Sequence, residues 1–180
     1  MKPQANSQQR VKLLSLLLLI LGLWIAFSTS IGFVARGNFK VVALENLRKV
    51  DTVFANIENG EPRNQALRYI ASELNRYYFS KYQWVNLFLA LAGLICIVKL
   101  KSRLNWQGYL LAYCLLTSLF ALFFIPYVTE VGRSIDFLPR VNRPPEVQQF
   151  LRLHLFYLAV EFSKYLFLWI VSISLMLNTK

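Results

Sequence analysis

The chain has one histidine, two cysteines and nine acids in 180 residues, against twenty lysines and arginines. So thin a supply of ligands and carboxylates gives no metal-binding spacing. Cys96 and Cys114 form no CxxC or Cys/His arrangement and read as small buried hydrophobes rather than as a disulfide. A Gly-rich phosphate loop, a Ser/His/Asp set, an internal repeat and a low-complexity segment are all missing from the sequence. These absences exclude the common catalytic constellations and point away from an enzyme. The net charge of +11 does not indicate nucleic acid, because the basic residues flank greasy segments instead of sharing a soluble face with aromatics. Anionic lipid headgroups are the counter-charge such flanks meet.

What the chain has in excess is apolar surface. With 56% hydrophobic and 15% aromatic residues, it holds more than a soluble domain of this size can hide. The excess is divided into four runs, over 13–33, 85–98, 108–127 and 150–177, near the roughly 20 residues that span a hydrocarbon core. The first run also resembles a signal peptide, with a basic flank and small residues at Ser28 to Ser30, but its apolar character continues through Ile31 to Val34, as in a retained helix. The fold class predicted is an all-α integral membrane protein, one domain over 1–180, with transmembrane helices at about 13–34, 84–100, 106–127 and 149–177.

The loop after the first span is polar but periodic. Phe39, Val42, Leu44, Leu47, Val50, Phe54 and Ile57 recur at helical steps, then "ENGEP" supplies a stop, and Leu67, Ile70, Leu74 and Tyr78 form a second stripe. One or two amphipathic surface helices, over 38–58 and 62–80, are expected, suited to the membrane surface, to the bundle itself or to a partner subunit. Lys2, Arg10, Lys12, the "KLKSR" turn and Lys180 are basic flanks without acids. By the positive-inside rule they place both termini on the cytoplasmic side of a bacterial-type inner membrane, although the opposite loops contain more basic residues in total, mixed with acids. Trp84, Trp106, Tyr109 and Tyr127 mark headgroup levels. Pro126 is expected to end the third span, and Pro144-Pro145 with Glu146 to start the fourth. Arg133, Arg140, Arg143 and Arg152 are expected at headgroup depth, contacting lipid phosphate or partners, or in salt bridges to Glu130 and Asp136.

The fourth run contains the chain's one concentration of titratable groups in an apolar helix. His154, Tyr157, Glu161, Lys164 and Tyr165 recur near whole turns and share one stripe. Glu161 lies about 15 Å into the helix, where an unpaired charge costs about 2.5 to 3.5 kcal/mol or more. Lys164, three residues later, is the natural partner. Tyr109, Tyr113 and Thr117, at four-residue steps in the third span, would add hydroxyls, giving a polar seam between the third and fourth helices. Three readings of that seam are open: a network that fixes helix register, a proton or ion path, and axial ligation of haem or chlorophyll by His154.

Three stretches together, "GFVARGNFKVVALENLRKVDTVFANI" (32–57), "FFIPYVTEVGRSI" (123–135) and the Arg-Leu-His step in "FLRLHLFYL" (150–158), carry a family likeness. The chain resembles a widespread, uncharacterised family of small four-helix bacterial membrane proteins, whose eukaryotic relatives include a transmembrane protein linked to cisplatin resistance. The likeness covers about half the chain and implies a four-helix fold without an activity. Two departures stand out: a longer insert over 60–81, and the Glu161/Lys164 pair where the family is apolar or small and polar. The function expected is that of a non-enzymatic accessory, stabilising or assembly subunit of a larger membrane complex, with lipids and other membrane subunits as partners. A small transporter or proton conductor using Glu161, Lys164 and His154 is the alternative.

Overall fold

The computed structural model describes residues 3–43, 60–100, 105–138 and 144–177. Four helices form it: α1 (Pro3–Val41), α2 (Glu61–Lys99), α3 (Asn105–Ser134) and α4 (Pro145–Leu177). Each is long and apolar enough to cross a membrane. α1 packs on α2, α2 on α3, α3 on α4, and α4 closes back on α1, in an up-down-up-down order.

Every helix overshoots a bilayer. At 1.5 Å per residue the 39 residues of α1 and of α2 extend about 58 Å, and the 30 of α3 about 45 Å, against a hydrocarbon core of about 30 Å. With Lys12, Lys99 and Trp106 at one headgroup level, about 20 residues of each helix reach Gly32, Phe79, Pro126 and, counted from Leu177, Tyr157. Beyond these positions the bundle continues as a cap. We call its two ends the basic end, with Lys12 and Lys99, and the cap end.

Three expected boundaries are corrected. The separate surface helix at 62–80 and the short span at 84–100 are one helix, α2. It starts at Gly60, whose φ of 91° suits glycine, with Pro62 in its first turn; neither glycine nor proline recurs before Gly93. Its inward face is Leu67, Ala71 and Asn75, continuing through Tyr82, Asn86 and Leu89, whereas Ile70, Leu74 and Tyr78 of the expected stripe point outward. The expected surface helix at 38–58 begins as the last turn of α1, and its remainder, 44–59, lies outside the described residues. In α3 the helix runs past Pro126 to Ser134. Pro126 is on the exposed face, where a missing N–H is tolerated, and burial of Val128 and Ile135 rewards continuing the helix.

The main core lies toward the basic end. Leu17, Leu21, Trp24, Leu111, Cys114, Leu168 and Val171 have no exposed surface, and Leu89, Cys96 and Leu175 pack among them. A smaller cluster of Ala121, Ile125 and Tyr157 lies toward the cap end. Because lipid tails are as apolar as leucine, association within the bilayer rests on close packing and polar links rather than on escape from water.

Candidate functional site

Of the expected stripe on α4, Tyr157, Lys164 and Tyr165 face α1 and α2 rather than α3. Lys164 has 1% of its side chain exposed and pairs with Glu161 at 2.7 Å, one turn away on the same helix. Its ammonium lies 5.7 Å from the ring centre of Tyr82, within cation–π range, and the Tyr82 hydroxyl donates to Ser28 Oγ at 2.6 Å. A second chain runs alongside. Trp24 Nε1 donates to Asn86 Oδ1 at 2.6 Å, and Asn86 Nδ2 lies 3.4 Å from Gln83 Oε1. Gln83 Nε2 donates to the Tyr157 hydroxyl at 2.9 Å. This last bond joins α2 to α4 across the bundle. The residues of α3 at that level are small, with Cys114, Ser118 and Ala121 fully buried, which leaves the room that polar side chains between membrane helices need.

The α3 residues expected in the seam do other things. Tyr109 is 76% exposed. The Tyr113 and Ser163 hydroxyls bond at 2.7 Å, away from the Glu161–Lys164 pair, and Thr117 donates back to the carbonyls of Tyr113 and Cys114 in its own helix. What α3 gives Lys164 is a weak donation from Cys114 Sγ to its carbonyl, at 3.9 Å. Tyr165 turns to α1, its hydroxyl 3.2 Å from Thr29 Oγ1. His154 stands above the seam, stacked on Phe150 at 5.7 Å between ring centres. Spacing on α4 alone gives the stripe but not the helix it faces, and the polar residues Gln83 and Asn86 on α2 were the overlooked signal.

Above the seam, where the four helices enter the cap, is a half-open vestibule of about 670 Å³. Tyr157 belongs to both. Its walls carry Phe39, Phe79, Ile125, Val128, Phe150 and Leu158, with Ser72, Asn75, Thr129 and His154 between them. Arg76 and Asp136 close one side. Arg76 Nη1 and Nη2 donate to the two Asp136 oxygens at 2.8 and 2.7 Å, and Nη1 also reaches Glu73 at 2.7 Å. Arg133, expected at lipid phosphate or in a salt bridge to Glu130 or Asp136, pairs with Glu130 at 2.7 Å and with Glu73 at 3.1 Å. Arg152, Trp84 and Trp106 are exposed, but Trp84, expected at a headgroup level, lies inside the limit counted at Phe79, while Arg140 and Arg143 lie outside the described residues. Asn38 and Asn75 tie α1 to α2 at 2.7 Å, and Asn75 also donates to the Ala35 carbonyl.

Gly132 lets this wall close. A Cβ there would lie 3.1 Å from the Phe150 ring and 3.2 Å from Arg76 Nη2. Gly132→Val is therefore expected to push Arg76 off Asp136 and lower stability by about 1 to 3 kcal/mol, read from the midpoint of SDS-induced unfolding in mixed micelles. An unchanged midpoint would show that the contact has slack.

Among the described residues no group of three or more His, Cys, Asp or Glu side chains is placed to hold a metal ion. No family model matches this chain, nor does any curated protein or solved structure.

Proposed function

We propose that this is a non-enzymatic multi-pass membrane protein that works by association, as a stabilising subunit of a larger membrane assembly. The observation that carries the reading is the outer face of α2. Ile70, Leu74, Tyr77, Trp84, Phe88, Leu91, Ile95 and Val98 are all exposed, at steps of three or four residues broken only by Lys81. Lipid covers the stripe inside the hydrocarbon. Past Phe79, Tyr77, Leu74 and Ile70 leave that cover and pass through the headgroups into water, where a partner's helix accounts for them better than solvent does. The basic end, with both termini, is assigned to the cytoplasmic face of a bacterial-type inner membrane on its acid-free flanks. The likeness to the small four-helix family belongs to the same proposal.

Conduction fits the packing less well. The polar chain descends from the vestibule to Lys164 and meets Leu17, Leu21, Leu111, Leu168 and Val171, all fully buried. An ion entering from the cap end meets this apolar layer, and among the described residues no carboxylate or histidine follows Glu161 toward the basic end.

The test is purification from native membranes in mild detergent. A stoichiometric membrane partner is expected, released by Ile70→Lys/Leu74→Lys without a change in the unfolding midpoint. A lone, well-behaved monomer overturns the reading. Proton flux into vesicles reconstituted with the pure protein, abolished by Glu161→Gln, would put the conductor in its place. Visible absorbance lost on His154→Ala would do so for a pigment or haem subunit.

A further inference from the structure

We propose that the vestibule is a binding site for one anionic lipid of the cap-side leaflet, with its phosphate at Arg36, the rest of its headgroup toward Arg68, and an acyl chain along Phe79, Ile125 and Leu158. The site is independent of the α2 face assigned to a partner, and either proposal stands without the other.

Charge is the first argument. Three arginines and one acid line the cavity. Arg76 is committed to Asp136 and Glu73, whereas Arg36 and Arg68 have no ion-pair partner among the described residues. That leaves two guanidiniums, on neighbouring helices, lining one cavity, Arg36 nearer the counted limit of the hydrocarbon and Arg68 farther out. Such forks bind phosphate by paired N–H donation.

Shape and depth select a lipid over a free anion. Most of the wall is aromatic or aliphatic, which a bare phosphate leaves unused. The volume of about 670 Å³ is in the range of small-molecule sites. α1 and α4 are linked below by Thr29 and Tyr165, and above that link the cavity's rim residues Gly32 and Arg36 on α1 and Leu158 on α4 are exposed. Gly32 and Leu158 lie at the counted limit of the hydrocarbon. The cavity therefore has a sideways opening at the depth where a lipid carries its phosphate and the start of its tail.

The experiment is native mass spectrometry of the full chain released from nanodiscs of equal phosphatidylglycerol and phosphatidylcholine. One phosphatidylglycerol per chain is expected to survive activation in preference to phosphatidylcholine. Arg36→Gln/Arg68→Gln should weaken its retention about thirty-fold, as two arginines lost from contact with an anionic headgroup imply. Lys12→Gln/Lys99→Gln, at the basic end, should not change it. Leu158→Trp, which narrows the opening without altering charge, should also reduce retention, and decides the matter if the arginine variant fails to fold. Equal retention of both lipids, equal loss in the two charge variants, or unchanged retention in the arginine variant overturns the proposal. Displacement of the lipid by millimolar inorganic phosphate would assign the site to a free anion and overturn it too.

Discussion

Replacing Glu161 with leucine is expected to destabilise the bundle by about 3 to 5 kcal/mol, because it leaves the Lys164 ammonium buried without a counter-charge. Lys164 is the more deeply buried partner, with 1% of its side chain exposed against 16% for Glu161. Lys164→Met should therefore cost less than Glu161→Leu, since the orphaned carboxylate keeps part of its surface exposed and the orphaned ammonium almost none. The double variant Glu161→Leu/Lys164→Met is expected to recover most of the loss, as replacing a buried ion pair by apolar groups of similar size is often neutral. The four unfolding midpoints form a double-mutant cycle in mixed micelles. If the two single changes simply add, the pair is not coupled and the seam does not hold the bundle in the way described.

Trp24→Ala is expected to cost about 3 to 5 kcal/mol, the range for truncating a buried large aromatic side chain. Trp24 is fully buried among Leu17, Leu21, Leu89 and Leu168, and the space it leaves has no side chain to fill it. Trp24→Phe separates packing from hydrogen bonding, since it keeps most of the ring and deletes the 2.6 Å donation to Asn86. Hydrogen bonds between membrane helices average about 0.6 kcal/mol, so the phenylalanine variant should lose much less than the alanine variant. The reverse order in the unfolding midpoints would mean that the Trp24–Asn86 bond, not close packing, anchors α1 to α2.

These two sites separate what spacing along one helix fixes from what it leaves to packing. Glu161 and Lys164 were readable as a pair because both belong to one helix, and spacing within a helix fixes which side chains meet. Their neighbours were not readable from that spacing. Tyr113 and Thr117 have the right steps to join a seam, but their hydroxyls have partners at closer reach, Ser163 for one and backbone carbonyls for the other. Gln83 and Asn86 lie in a Tyr- and Trp-rich stretch that by sequence reads as a headgroup belt. Once α2 is one helix, the same residues lie inside the bundle, where a buried amide must find partners.

The vestibule shows the same limit more sharply. Its arginines come from α1 and α2, its carboxylate from α3 and its histidine from α4, and no linear motif joins them. Arg133 and Asp136, three residues apart, were natural candidates for each other, yet Asp136 goes to Arg76 and Arg133 to Glu73 and Glu130.

By itself the amino-acid sequence determined that this chain forms four long apolar helices and that Glu161 is matched by Lys164, because hydrocarbon thickness and helical pitch act on consecutive residues. Only the tertiary structure decided that α2 runs unbroken, that the polar seam turns toward Trp24, Ser28, Gln83 and Asn86, and that a basic vestibule opens above it. Those outcomes depend on which helix faces which and at what height, and interhelical register is set by packing between segments far apart in the chain.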